Sequence, residues 1–233
     1  MRNLKWITAG VLAVLIVAAI WWHRTRGVEA ALLAEEPFRI LKRHDHADYA
    51  DILDAWRKFQ AGEITAAVFT RESNAAYSRV ATRRLATASQ DSVQALMRET
   101  IRTLKKLRAK SPEACFRYLY PEVAGPPDVA GVLEPGEQRR MLELMGEVVR
   151  TSAEHPVSRP AQAEIEGPLA DIINATFEQY GTDAQMVGHP EDPRIDRGRV
   201  CEITLSLYER ILALPPDVST KLLRYMAPGA GAG

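Results

Sequence analysis

Two cysteines in 233 residues are too few for a disulfide scaffold or a four-thiolate zinc site. Aromatic residues make up only 7% of the chain, and thirty basic side chains are matched by thirty acidic ones. The overall basic excess of a nucleic-acid binder is therefore missing. The sequence also has no HExxH pair, no GxSxG elbow, no glycine-rich phosphate loop and no catalytic-cysteine signature. No run alternates apolar and polar residues with β-branched enrichment, so no strand is predicted. An apolar fraction of 46% and a charged fraction of 26% exclude a disordered, collagen-like or multi-span membrane chain.

What the chain does have is one uninterrupted apolar run, Trp6 to Trp22, WITAGVLAVLIVAAIWW. As a helix rising about 1.5 Å per residue it would span about 26 Å, the short end of what crosses a hydrocarbon core of about 30 Å. Trp6 at one end and Trp21 with Trp22 at the other match the aromatic belts of the two membrane interfaces. Arg2 and Lys5 precede the run, and Arg24 and Arg26 follow it. A cleaved signal peptide is the competing reading, with Val17-Ala18-Ala19 as the cleavage site. Its apolar core would exceed the usual length of about 7–15 residues, and cleavage would leave Ile20-Trp21-Trp22 exposed. The run is read as an uncleaved anchor. Positive charge is slightly heavier before it than after it, which places the short tail inside and the bulk outside. Arginine outnumbers lysine 23 to 7 in an alanine-rich chain, compatible with a GC-rich bacterial genome. The expected location is a bacterial inner membrane with a periplasmic domain.

Beyond the anchor the periodicity is helical almost throughout, and the expected fold class is all-α. One transmembrane helix in residues 1–26 precedes a soluble multi-helix bundle over 27–226, and 227–233, APGAGAG, forms a disordered tail. The clearest helix starts at Asp45, carries Tyr49, Ile52, Leu53, Trp56 and Phe59 in one stripe, and stops at Gly62. Others are predicted over 73–86, 89–110, 112–120, 136–154, 160–180 with a kink at Gly167-Pro168, 195–213 and 217–226. The proline- and glycine-bearing stretch 121–135 is a candidate subdomain boundary.

Charge is segregated along the chain. Residues 27–78 carry a net −3, residues 79–110 a net +7 and residues 111–233 a net −8. The basic stretch contains Arg79, Arg83, Arg84, Arg98, Arg102, Lys105, Lys106, Arg108 and Lys110. It could meet lipid phosphates, a polyanion or an acidic protein surface, or be a solvated face offset by the acidic C-terminal half. Nucleic acid is not expected as a partner, because residues 78–110 hold no aromatic side chain that could stack on bases.

Three other groups carry potential chemistry. His44, Asp48 and Asp51 fall at i, i+4 and i+7 and would form a metal site on one helical face. Helix capping by Asp45 and solvation of Asp48 and Asp51 explain the same residues more simply. Cys115 and Cys201 are either two inert buried thiols or, in an oxidising compartment, a disulfide. His189 with Glu191, Asp192 and Asp196 would make an acid/base group, although loops bounded by proline commonly collect such residues. The aromatic run Phe116 to Tyr120 reads as core packing.

These features point to a membrane-anchored, non-catalytic helical module, needing no cofactor, that binds another envelope protein as an adaptor, assembly factor or immunity-type protein. The alternative is an envelope hydrolase using His44/Asp48 or His189/Asp192.

Overall fold

The computed structural model describes residues 27, 29–129 and 131–227. The expected anchor, with Trp6, Trp21 and Trp22, and residues 228–233 of the tail lie outside them. Every regular element among the described residues is an α- or 3-10 helix. No described helix is long and apolar enough to cross a membrane. The chain divides into two compact units, Met1–Ser73 and Asn74–Gly233.

The first unit contains α1 (Glu36–His44), α2 (His46–Gln60) and the start of α3 (Ala66–Arg84). Pro37 sits in the first turn of α1, where its missing N–H costs no helical bond. Glu36 at the start and Lys42, Arg43 and His44 at the end oppose the helix dipole. Asp45 separates α1 from α2 with a non-helical backbone (φ −146°, ψ 69°), and its side chain makes no cap hydrogen bond. α1 packs on α2, burying Phe38 and Leu41 in one helix and Tyr49, Ile52 and Leu53 in the other. Lys42 Nζ (2.8 Å) and the Tyr49 hydroxyl (3.0 Å) both donate to Glu29 Oε1. Gly62, at φ 76°, ends the α2 segment in a conformation costly for other residues. Trp56 meets Phe59 and Phe69 with ring centroids 5.4 and 5.0 Å away.

The second unit is built around α4 (Gln90–Lys110). Packed against it are α5 (Pro112–Leu119), α7 (Pro135–Glu154), α9 (Arg197–Ala213) and α10 (Pro216–Met226). Four neighbours explain why α4 is buried on more than one side: Val93, Leu96, Met97, Ile101, Leu104 and Leu107 are all inside. α6 (Pro121–Ala124) follows α5 directly, and α8 (Glu166–Tyr180) packs on α9. Short 3-10 turns cover Leu85–Thr87, Gln162–Glu164 and Gly181–Gly188.

The helix starts follow local chemistry. Ser89 accepts from Ser92 N at 3.3 Å and Ser111 from Ala114 N at 3.2 Å. Glu137 reaches back to the Glu134 N–H at 3.1 Å. Asp196 accepts from Arg199 N at 3.0 Å and starts α9.

Several boundaries differ from the sequence expectation. α3 begins at Ala66 rather than near 73. The expected kink at Gly167-Pro168 does not arise, because α8 begins at Glu166 and Pro168 falls in its first turn, where N–H groups have no intrahelical acceptor. The stretch 121–135 lies inside the second unit, where Arg117 Nε donates to Gly125 O at 3.1 Å. Ala227, expected to open the tail, is buried and its carbonyl accepts from Arg159 Nη2 at 2.8 Å.

Candidate functional site

The metal reading of His44, Asp48 and Asp51 is corrected by the backbone. The three residues would share a face only on one continuous helix, and the break at Asp45 leaves His44 at the end of α1 and the two aspartates on α2. Among the described residues no group of three His, Cys, Asp or Glu side chains could hold a metal ion.

The middle of the basic stretch, Arg102 to Arg108, is neutralised from within. Lys105 pairs with Glu209 at 2.6 Å and Arg108 with Glu202 at 3.2 Å, both on α9. On the other flank Lys106 pairs with Glu137 of α7. Glu99, buried on α4, accepts from Arg102 at 2.8 Å and from Arg140 of α7 at 3.1 Å. Arg98 donates to Gln94 Oε1 at 3.2 Å. The negative C-terminal half thus lies along the positive helix as its intramolecular counter-charge. A row of cations already engaged by carboxylates is poorly suited to an outside polyanion. Arg79, Arg83 and Arg84 sit apart from this row, near the end of α3, with Arg79 and Arg83 exposed.

Cys115 and Cys201 are joined by a disulfide, with Cα atoms 5.9 Å apart. Both are fully buried, in an apolar cluster with Ile101, Leu104, Leu107 and Leu205. The aromatic run beside Cys115 is part of this interior. Phe116 is fully buried, lies 5.1 Å from the Tyr120 ring, and carries the Arg197 guanidinium 5.0 Å over its face. Burial pushes the Tyr118 and Tyr208 hydroxyls up to about 12, so neither ionises near neutral pH.

The His189 group is occupied with holding its own loop. Arg194 donates to both oxygens of Asp192, at 3.0 and 2.8 Å, and this contact brings the Asp192 carboxyl down to about 2. A carboxylate so firmly ionised is a weak proton acceptor at neutral pH and no proton donor. Asp196 caps α9. His189 is exposed, 3.7 Å from Glu191. The two aspartates are thus engaged by Arg194 and by the start of α9, while His189 and Glu191 are exposed.

One feature was not legible as a site from composition or spacing. Ile173 and Phe177, one turn apart on α8, are each 41% exposed. Helical periodicity at 165–180 gives the signal that both are apolar, but only the packing decides which apolar residues of α8 face inward: Ile172, Thr176 and Tyr180 are the buried ones. α8 carries Glu166, Asp171 and Glu178 and no basic residue. In the neighbouring structure Arg199 of α9 bonds Asp183 at 3.0 Å and covers the Tyr180 ring at 5.0 Å, which fixes the end of α8 against α9. Compared with known proteins, the chain matches no family model, no curated protein and no solved structure.

Proposed function

We propose that this protein is a single-pass, membrane-tethered component of a bacterial envelope. Its helical domain works on the periplasmic side as a non-catalytic protein-interaction module, in the manner of an adaptor, assembly factor or immunity-type protein. The observation that carries the reading is the buried Cys115–Cys201 bond. Disulfides persist in oxidising compartments and are rare in the cytosol. A periplasmic domain fits both that bond and the tryptophan-bounded run at residues 6–22, with Arg2 and Lys5 on its inner flank. Exposed apolar side chains on α8 support a binding role.

The test is made on the full-length chain in its native membrane. Fractionation should retain the intact polypeptide in the membrane until detergent is added. Alkylation after denaturation without reductant should label neither cysteine. In-membrane crosslinking should then give a discrete, reproducible adduct with an envelope protein. Recovery in the aqueous extract, or two labelled thiols, would overturn the location; no adduct would overturn the interaction role.

A further inference from the structure

We propose that the outward face of α8 docks a cationic amphipathic helix of the partner protein. This deepens the interaction-module reading and rests on it. Four large apolar side chains are exposed among the described residues, Val157, Ile173, Phe177 and Met226. Of these, Ile173 and Phe177 share a helix. At 3.6 residues per turn, exposed Ala170 joins them at the i, i+3 and i+7 positions of one stripe. That is the anchor spacing with which helices recognise one another.

Charge decides what lies on this stripe. Residues 160–193 contain seven acidic side chains and no lysine or arginine. Glu164, Asp183 and Asp192 are taken by Lys221, Arg199 and Arg194, and Glu191 lies beside His189. The remaining three, Glu166, Asp171 and Glu178, all belong to α8, are exposed, and have no ion-pair partner among the described residues. Asp171 and Glu178 are two turns apart and form a row about 100° round the helix from the apolar stripe, while Glu166 lies in line with the stripe at its N-terminal end. Among the described helices, α8 alone combines two large exposed apolar side chains with carboxylates that have no ion-pair partner among the described residues. The complementary surface has apolar residues at helical spacing flanked by Lys or Arg.

Other occupants fit less well. An anionic lipid surface would face three carboxylates. A second copy of this chain would bring two uncompensated acidic rows together. The chain's own basic helix, α4, is engaged by Glu99, Glu137, Glu202 and Glu209.

The experiment uses the full-length protein in nanodiscs of zwitterionic lipid and two fluorescent synthetic helices. One is built of Leu and Lys in amphipathic register, and the other has Glu at every Lys position. Anisotropy should show the Lys helix binding and the Glu helix not binding, beyond a control of empty nanodiscs, with affinity falling as salt is raised. Phe177→Ser should weaken binding by about tenfold or more. The double variant D171K/E178K should lose the Lys helix and gain the Glu helix. Both substitutions are on exposed positions, so the thermal transition should stay in place. Equal binding of the two helices, or binding unchanged in both variants, would overturn the proposal. A wild-type dimer that Phe177→Ser dissociates would overturn it in favour of self-association. If the crosslinked envelope adduct persists in F177S and D171K/E178K, the interaction module stands and the assignment to α8 falls.

Discussion

Gly198 on α9 lies against Pro112 on α5, so closely that a Cβ at Gly198 would fall 3.0 Å from the proline Cβ. Three residues further along each helix, Cys201 and Cys115 form the disulfide. The close approach and the covalent link are one feature of the α5–α9 packing: a glycine admits the neighbouring helix, and the cysteines join across the next turn. Replacing Gly198 with Ala should therefore destabilise the protein, although alanine is the better helix former by about 1 kcal/mol. The added methyl presses on a rigid ring in the first turn of α5 and on Asp196 Oδ1 at 3.3 Å, a strain of about 1–3 kcal/mol. A lowered midpoint of urea unfolding in G198A, and a larger loss in G198V, is the expected result.

Removing the disulfide with C115A/C201A should lower stability by about 2–5 kcal/mol, the range usual for loss of a native disulfide from a small domain. The bridge spans 86 residues of sequence, which makes the restriction of the unfolded chain large. Thermal unfolding of the native protein should respond to reductant, and that of the double variant should not.

Glu99 is a buried carboxylate held by two arginines whose own side chains are about three-fifths exposed. Truncating it removes two charge-assisted bonds and opens a gap between α4 and α7. The arginines can turn to water, which limits the loss. E99A should cost about 1–3 kcal/mol, whereas R102A and R140A should each cost less than about 1 kcal/mol. Denaturant titrations of the three variants check the order.

Arg224 is almost wholly buried, and its Nε donates to the Ala88 carbonyl at 3.0 Å. That carbonyl lies between the Leu85–Thr87 turn and the start of α4, with no helical N–H nearby to satisfy it. Arg224→Met keeps the stem and removes the donors, leaving the buried carbonyl unpaired at a cost of about 1–3 kcal/mol. Amide exchange should speed up at the start of α4 and in α10.

Glu29 ties the segment before α1 to both α1 and α2. The Lys42 ammonium, bonded to it, holds its carboxyl below the ordinary glutamate value, with the Tyr49 hydroxyl adding to the effect and burial opposing it. A carboxyl with a lowered folded pKa contributes stability above its unfolded value of about 4.3, and that contribution is lost as pH falls through the lower folded value. Burial, followed by the Glu29 carboxylate, pushes the Tyr49 hydroxyl the other way. A carbon-detected titration should place Glu29 below ordinary glutamates, and Lys42→Met should move its midpoint up.

Asp45, read as a cap, makes no cap hydrogen bond, and the four-residue α6 was not foreseen, but the other helices from Asp45 onward were legible because apolar stripes and a stop glycine such as Gly62 act within a few residues. α1 was not, because EPFRILKRH is too short and too charged for its Phe38–Leu41 stripe to rise above the background. Predicted site residues fared according to how local their chemistry was. The His44–Asp51 spacing assumed a continuous helix, and one non-helical residue at Asp45 is enough to rotate the two parts onto different faces.

By itself the sequence determined that the chain would be helical, where most helices begin and end, and that positive and negative charge would be separated along it. Those properties depend on hydrogen bonds and side-chain contacts between near neighbours. Tertiary structure decided the rest: that the acids of α7 and α9 lie along the cations of α4, that Cys115 meets Cys201, and that Ile173 and Phe177 remain outside while Ile172 and Tyr180 go in. Each of these brings together groups far apart in the chain, or selects among apolar residues of one helix. Only the packing of one helix on another supplies that information.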